Sequence, residues 1–537
     1  MSDIQSKIQE HLSSRASLIG KELAGRRDYQ YLSIASSAEK EAERIVREIR
    51  QHEAETVWNS VHEGIPHVFP GMGFLTAKNI IKTTRLYQIL KKMPKGALLH
   101  AHMDGTVDSG ILLRLALEQP AMHVCVPRRL DYMSLSGLRP SFKALPPALC
   151  AQATDAPTIT SALYIPYAWV PIQKAREEFP RELGGPAGFD SWVLGAQRIS
   201  AQEAYETHNT PAKIWHKFGS TFVVADGLLG YEPVLESYIR ELLRTSIEDG
   251  ISYIEVRVKF FDKTMVRANG EDDLTHREWL VIFDRVVQEV KADMKAQGRG
   301  DEFVGAKIIY STLRFLSISE IEWYLEDCIE LKKEFPHLIV GFDLVAREDS
   351  GHPLIYFLEP LLRFRERQKE LGLDIPFIFH AGETLGDGDS TDHNLFDAIL
   401  LGTKRIGHGY SLIKHPMLIQ KCKELRIPIE ICPISNEILR LTQAMPNHPL
   451  PALLNHGVTV ALCSDDPSVF GNTGLTYDFF QVLLSSEVTG LITLATLARD
   501  SLAHSELEPE EKKIALEKWE RRWALFVEEV TKETLPT

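Results

Sequence analysis

The sequence predicts an α/β fold: a (β/α)8 TIM-type barrel with an N-terminal helical extension and an insertion after the first strand. Three observations predict it. Short runs with strand character recur eight times, at 96–102, 251–258, 306–313, 338–344, 376–380, 405–409, 427–432 and 458–463. Amphipathic helical stretches such as 233–249, 318–334 and 415–425 stand between them. Such alternation implies parallel strands with crossover helices, and eight units suggest a closed barrel. Third, residues able to do chemistry fall at the C-terminal ends of the runs, where a barrel places its site. The pattern alone also allows a doubly wound open sheet.

Residues 1–92 read as helices. Within them 37–56 is charge-rich, with Ile45, Val46 and Ile49 as a narrow apolar stripe. That is an ordinary surface helix, or alternatively a contact in a homodimer. The barrel occupies 93–505, and a Pro-rich stretch of weak periodicity, about 115–210, is an insertion in the first βα connection. The end, 506–537, carries an amphipathic helix on which Trp519, Trp523 and Phe526 fall at i, i+4 and i+7. That spacing is core packing against the barrel. No internal repeat or low-complexity tract interrupts the 537 residues.

The formal net charge of -14 argues against nucleic acid as a partner, because a phosphate backbone needs a basic surface. A small anionic ligand in a locally basic pocket is still allowed. Six cysteines without a CxxC pair do not form a disulfide framework. Cys125 and Cys150 are the one pair close together outside the strand runs, and they are expected to stay unpaired. The first 27 residues are polar, without the apolar stretch of a secretory signal, and no run has the length of a membrane span. A cytoplasmic protein with no membrane partner is the expectation.

The chemistry-bearing residues gather at four strand ends. His100 and His102 close the first run, and a period of two turns both imidazoles to one face. Two such rings can share a divalent metal, although an HxH pair alone is more often chance or core. His380 ends the fifth run in His380-Ala-Gly-Glu383 and offers a third nitrogen. Gly382 and Glu383 follow on the loop, Gly382 as a substrate contact and Glu383 where a proton donor belongs. His408, between two glycines in Arg405-Ile-Gly-His-Gly409, is an electrostatic partner or base for an attacking water, or else a satisfied buried histidine. Asp465 and Asp466 end the eighth run in Ser464-Asp-Asp-Pro467, one able to face a metal and the other a substrate atom. A turn with a helix cap is the bland reading of that pair. Singly each bland reading is respectable; four strand ends out of eight make chance a poor account. Three histidines and one aspartate form a plausible zinc site, and a metal that lowers the pKa of water serves hydrolysis. Chemistry alone reaches a metal-assisted hydrolase and no further.

These motifs with their surroundings resemble the adenosine deaminase family, and within it the branch of adenosine deaminase-related growth factors. The segments are Met93-Pro-Lys-Gly-Ala-Leu-Leu-His-Ala-His102, Tyr253-Ile-Glu-Val-Arg257, Gly341-Phe-Asp-Leu344, His380-Ala-Gly-Glu-Thr384, Asn394-Leu-Phe-Asp-Ala398, Arg405-Ile-Gly-His-Gly409, Cys432-Pro-Ile-Ser-Asn436 and Ser464-Asp-Asp-Pro-Ser-Val-Phe-Gly471. The resemblance implies one zinc held by His100, His102, His380 and Asp465. It implies that Glu383 protonates ring N1 and that His408 holds and helps deprotonate the attacking water. Asp465 then serves both metal and catalysis. Asp466 meets N7, and Asp104 sits near the ribose. The product is the inosine compound with release of ammonia.

Two departures matter. Where the family continues Gly-Phe-Asp-Leu into a glycine against purine N3, this chain has Ala346, followed by Arg347. The branch is typically secreted, with a signal peptide and a disulfide in the insertion; no signal is seen here, so an extracellular growth-factor role is not carried over. The substrate is then a purine nucleoside or nucleotide: adenosine, or AMP, ADP or ATP with Arg347, or Arg128 and Arg129 of the insertion, meeting the phosphate. A non-catalytic binding or signalling protein on the same scaffold is the alternative of a different class, and a metal hydrolase of another cyclic amidine is a third.

Overall fold

The structure, a computed structural model, describes residues 3–534. Eight parallel strands form the barrel wall: β1 Gly96–Leu98, β2 Ile251–Lys259, β3 Gly305–Leu313, β4 Ile339–Val345, β5 Ile378–Ala381, β6 Arg405–His408, β7 Ile429–Ile431 and β8 Val460–Leu462. Hydrogen bonds join β1 to β4 in one ladder and β5 to β8 in another. Single parallel bridges join the two ladders at both seams. Phe342 meets Phe377, with the Phe342 N–H donating to Pro376 O at 2.9 Å. Ala101 meets Asp465, with Asp465 N–H donating to His100 O and His102 N–H to Asp465 O, each at 3.1 Å. The eight strands therefore follow one another around a closed circuit, as the sequence predicts, and the open-sheet alternative falls away.

The strands form because their residues suit burial on both faces. Ile251–Lys259 is rich in β-branched and aromatic residues, and all but its last residue is buried. Three ladders are shorter than the apolar runs that announce them. β1 pairs only as far as Leu98, and the chain runs on beside β2 to His102, with Arg257 N–H donating to Ala101 O at 2.9 Å. In β7 and β8 likewise only the centre of each run is laddered.

Five helices bear on the argument: α1 Asp3–Ala24, α2 Ser37–Glu53, α3 Pro211–Leu229, α4 Leu491–Ala503 and α5 Pro509–Thr531. The reading of 37–56 as a surface helix holds, with Glu41 and Arg44 exposed, but the apolar stripe offered for a dimer contact is turned inward. Ala42, Ile45, Val46 and Ile49 are buried in the main core, so this stripe is not free to meet another chain. Its start is held by a capping box between Ser36 and Glu39. Glu39 also accepts from Trp523 Nε1 of α5 at 2.8 Å. Trp519 and Trp523 stack at 5.6 Å, and Trp519 Nε1 donates to Pro94 O at 3.0 Å, which ties α5 to the entrance of β1. The core role expected of these tryptophans is met. α1 differs: Ile4, Ile8, Leu12 and Leu18 along it stay largely exposed.

The insertion is more ordered than its composition suggests. Strands Met122–Cys125, Ser141–Ala144 and Val170–Pro171 form a small antiparallel sheet with Met122–Cys125 in its centre. α3 follows it, started by Thr210 and a Pro at its first turn, and the sequence reading did not identify this helix. All six cysteines are free, Cys125 and Cys150 included. Among the described residues no helix is long and apolar enough to cross a membrane.

Three non-glycine residues with left-handed backbone stand at strand C-terminal ends: Ala346 (φ 84) after β4, His408 (φ 61) closing β6 and Asp465 (φ 59) after β8. An L-residue in this region carries a cost of about 1–2 kcal/mol, and such strain concentrates at functional sites. Replacing Ala346 by glycine removes that strain but adds about 0.5–1 kcal/mol of unfolded-chain entropy to overcome. Ala346→Gly is therefore expected to stabilise the fold slightly, by about 0.5–1 kcal/mol in a denaturant titration. A variant that melts earlier than the parent refutes the strain at this position.

Candidate metal centre and active site

The strand ends bring the predicted residues to one point. His100, His380, His408 and Asp465 each offer a ligand atom within 4.8 Å of the others. His102 joins the same point through Asp465 and Asp466. The Oδ1 of Asp465 lies 3.2 Å from His102 Nε2, 3.4 Å from His100 Nε2 and 3.9 Å from His408 Nε2. Its other oxygen accepts from Ser435 Oγ at 2.7 Å, so Oδ1 alone faces the imidazoles. That contact assigns a task to the Cys432-Pro-Ile-Ser-Asn436 segment which spacing could not supply.

Two of the rings are aimed by carboxylates. His100 Nδ1 lies 2.8 Å from Glu430 Oε2, and His380 Nδ1 lies 2.6 Å from Asp343 Oδ2. A carboxylate only accepts, so each Nδ1 carries the proton and each Nε2 presents its lone pair to the centre. Behind these acids stand buried arginines. Arg257 donates to Asp343 Oδ2 at 2.7 Å and to Glu430 Oε2 at 2.8 Å; Arg405 donates to Glu430 Oε1 at 2.6 Å and to Glu255 Oε2 at 2.5 Å. Burial alone would raise the Glu430 carboxyl, but Arg257 and Arg405 outweigh it and hold it well below the usual range. Asp343 is lowered against its burial by His380 and Arg257. Burial pushes His380 down to about 3, so its ring stays neutral. The buried His100 Nε2 has no hydrogen-bond partner in the protein. Three imidazoles and one carboxylate around such an orphaned nitrogen suit a divalent metal.

The acids around the cluster are driven apart. Burial first, then the imidazoles of His408, His100 and His102, act on Asp465, and the imidazoles win, leaving it ionised well below the usual range. Burial, reinforced by Asp465 and Glu348, pushes Glu383 well above it. Burial and then Asp465 and Asp104 do the same to Asp466. Glu383 Oε1 and Asp466 Oδ1 are buried without partners. Two carboxyls raised beside one that is lowered are the kind of divided set that serves acid–base chemistry.

The cluster forms the floor of a cavity of about 560 Å³ lined by His102, Asp104, Ala346, Arg347, Glu383 and Asp466 among others. Asp104 pairs with Lys259 at 3.1 Å, and Lys259 pairs again with Asp226 of α3 at 2.7 Å. Arg347 pairs with Asp349 at 3.1 Å and lies 5.9 Å from the Trp215 ring of α3. Two expectations need correction. Gly382 does not line the cavity; its φ of 79 makes the turn after β5, and its N–H, with that of Glu383, is held by the buried Glu348 carboxylate at 3.3 and 2.7 Å. Arg128 and Arg129 do not line it either, and Arg129 Nε donates to Thr160 O at 3.0 Å.

Sequence reasoning missed three groups. Trp215, Phe218, Phe222 and Asp226 of α3 wall the cavity. Glu348 anchors the Glu383 loop. Asp343 and Glu430 aim the rings, and Glu430 had a visible signal: a carboxylate inside an otherwise apolar strand run.

Comparison with known proteins agrees with this geometry. The family model described as "Adenosine deaminase" matches residues 189–521, well over half of the chain. "Adenosine deaminase 2" of Sus scrofa is 35% identical over 466 residues, covering 86% of this chain and 84% of that protein. Among solved structures, the Arabidopsis N6-mAMP deaminase MAPDA has a TM-score of 0.52 at 16% identity, covering 81% of this chain and 99% of its own. An amidohydrolase from Burkhoderia ambifaria with bound Zn has a TM-score of 0.51 at 14% identity, covering 84% and 96%. The last two likenesses concern the fold. Sequence relatedness over most of its length places the chain in the adenosine deaminase family of aminohydrolases, in the branch of adenosine deaminase-related growth factors.

Proposed function

We propose that the chain catalyses the zinc-dependent hydrolytic deamination of adenosine, giving inosine and ammonia. One observation carries the reading: a buried Glu383, its carboxyl pushed well above the usual range by burial and by Asp465, shares the cavity floor with an N/O metal cluster that includes Asp465. His100, His102, His380 and Asp465 would hold the metal, and zinc suits that donor set. When bound, zinc supplies the Lewis acidity that makes water nucleophilic near neutral pH.

The side chains do the rest. Glu383 donates its proton to a ring nitrogen of the purine, which withdraws electrons from C6. His408 stands beside the attacking oxygen. Asp466, also protonated, donates to a second ring nitrogen and fixes the face of the base. Water adds oxygen at C6, the C6–N bond breaks, and the amino group leaves as ammonia with a proton from the site. Substrate recognition follows the charges. Lys259 is engaged by two carboxylates and Arg347 by Asp349, so both cations are already paired with acids, while Asp104 can accept from sugar hydroxyls. The second reading, a phosphorylated substrate, draws on the buried Arg347 Nε, which has no partner. Kinetics on adenosine, AMP, ADP and ATP separate the two: kcat/KM should favour adenosine at least about tenfold, the loss of one good polar contact. Preference for AMP that disappears in Arg347→Ala would replace the first reading.

Glu383→Gln should fold and bind metal but lose turnover by roughly 10²–10⁴-fold, the usual contribution of a general acid. Because only the protonated carboxyl donates, activity should fall as pH rises through the elevated Glu383 pKa and stay level below it. Near-normal turnover in the variant would remove Glu383 as the acid. Glu430→Gln should weaken zinc affinity about 10–100-fold, measured by chelator competition, because His100 loses its aiming carboxylate. Unchanged affinity would mean that Glu430 serves only the fold.

A further inference from the structure

His408 differs from the metal-facing histidines in what stands behind it. His100 and His380 are backed by carboxylates; the Nδ1 of His408 lies 3.2 Å from the side-chain amide of Asn436. The amide has two faces, and a third residue decides which one His408 meets. His448 is buried, 5% exposed, with Nε2 3.0 Å from the Asn436 amide and Nδ1 3.1 Å from the Leu450 backbone nitrogen. A backbone N–H only donates, so His448 Nδ1 accepts. Burial keeps His448 neutral, pushed down to about 3, so its single proton sits on Nε2 and is donated to Asn436. The Asn436 atom facing His448 must therefore be the carbonyl oxygen. Its NH2 then faces His408 and donates to Nδ1, which must be bare. The proton of His408 is left on Nε2, a buried atom without a protein partner on the cluster side.

We infer that the chain Leu450–His448–Asn436 holds His408 in the Nε2–H tautomer, as a hydrogen-bond donor to the attacking oxygen and not as its proton acceptor. Two consequences follow. An imidazole with Nε2–H cannot ligate, so His408 is excluded from the metal although it lies within reach of the ligands. And the group behind the ring decides its role: a carboxylate leaves Nε2 free to bind metal, an amide leaves it a donor. Asn436 and His448 are thus positioning residues acting through His408.

The test uses the zinc-loaded full chain with ¹⁵N-labelled histidine. Long-range proton–nitrogen spectra, with the His408 signals identified by their loss in His408→Gln, should show Nε2 protonated and Nδ1 bare. Asn436→Asp, nearly isosteric, replaces the donor by an acceptor. It should move the proton to Nδ1 and lower kcat on adenosine about 10²–10³-fold, the scale of a lost oxyanion-type donor, with KM nearly unchanged. In the cobalt-substituted protein the same variant should alter the visible spectrum, because the freed Nε2 can now join the metal. His448→Gln, which can still donate to Asn436, should restore the parental nitrogen pattern; His448→Phe should not. A parental His408 with its proton on Nδ1 overturns the proposal, as does Asn436→Asp with parental nitrogen shifts and kcat. The kinetic arm rests on the deamination reading. If the parent does not turn over adenosine that reading fails, while the nitrogen pattern still decides the tautomer.

Discussion

The parallel bridge between the end of β1 and the end of β8 is the constraint on which the rest depends. It closes the barrel, and it is made by backbone groups of the functional residues themselves: Asp465 N–H to His100 O and His102 N–H to Asp465 O. The circuit cannot close without setting two imidazoles against the aspartate. At the same place Asp465 is held with positive φ, a strained backbone that the surrounding hydrogen bonds impose. Fold and site share the same few bonds, so a change that loosens one loosens the other.

A polar core beneath that seam aims the rings. Arg257, Arg405, Asp343, Glu255 and Glu430 are fully buried inside the barrel. Such an array is not a source of net stability, because each ion gives up several kcal/mol of hydration. Once built it is unforgiving: removal of one partner strands another charge, at about 3–5 kcal/mol. What the array supplies is direction. It keeps two carboxylates ionised at fixed positions, and these place the protons of His100 and His380 on the nitrogens away from the centre. Around His408 a neutral amide chain replaces the carboxylate, so an imidazole of the same kind and nearly the same depth is given the opposite polarity.

The cavity adds a second division of labour, among acids. Asp465 sits among imidazoles, which hold its carboxyl low; Glu383 and Asp466, in the same buried volume, are pushed up by burial and by Asp465 itself. α3 brings Trp215, Phe222 and Asp226 to the cavity wall, where Asp226 and Asp104 together clasp Lys259. The helix that follows the insertion is therefore part of the cavity wall.

The sequence by itself determined the barrel and the identity of its reactive residues. Apolar runs at regular intervals dictate buried parallel strands, and His100, His102, His380, His408, Asp465 and Asp466 are local to the ends of those runs, so spacing alone reveals them. Residues that act from a distance were not legible: Glu430 aims a histidine 330 positions away, and Asn436 and His448 act through a turn that no periodicity announces. Likewise the apolar stripe of α2 reads as that of an ordinary surface helix or as a dimer contact until α5 is seen packed against that helix. The tertiary structure decided which nitrogen of each ring carries the proton and which carboxyl is ionised. Those properties belong to pairs of groups in low-dielectric surroundings, and a pair exists only after the chain has brought its members together.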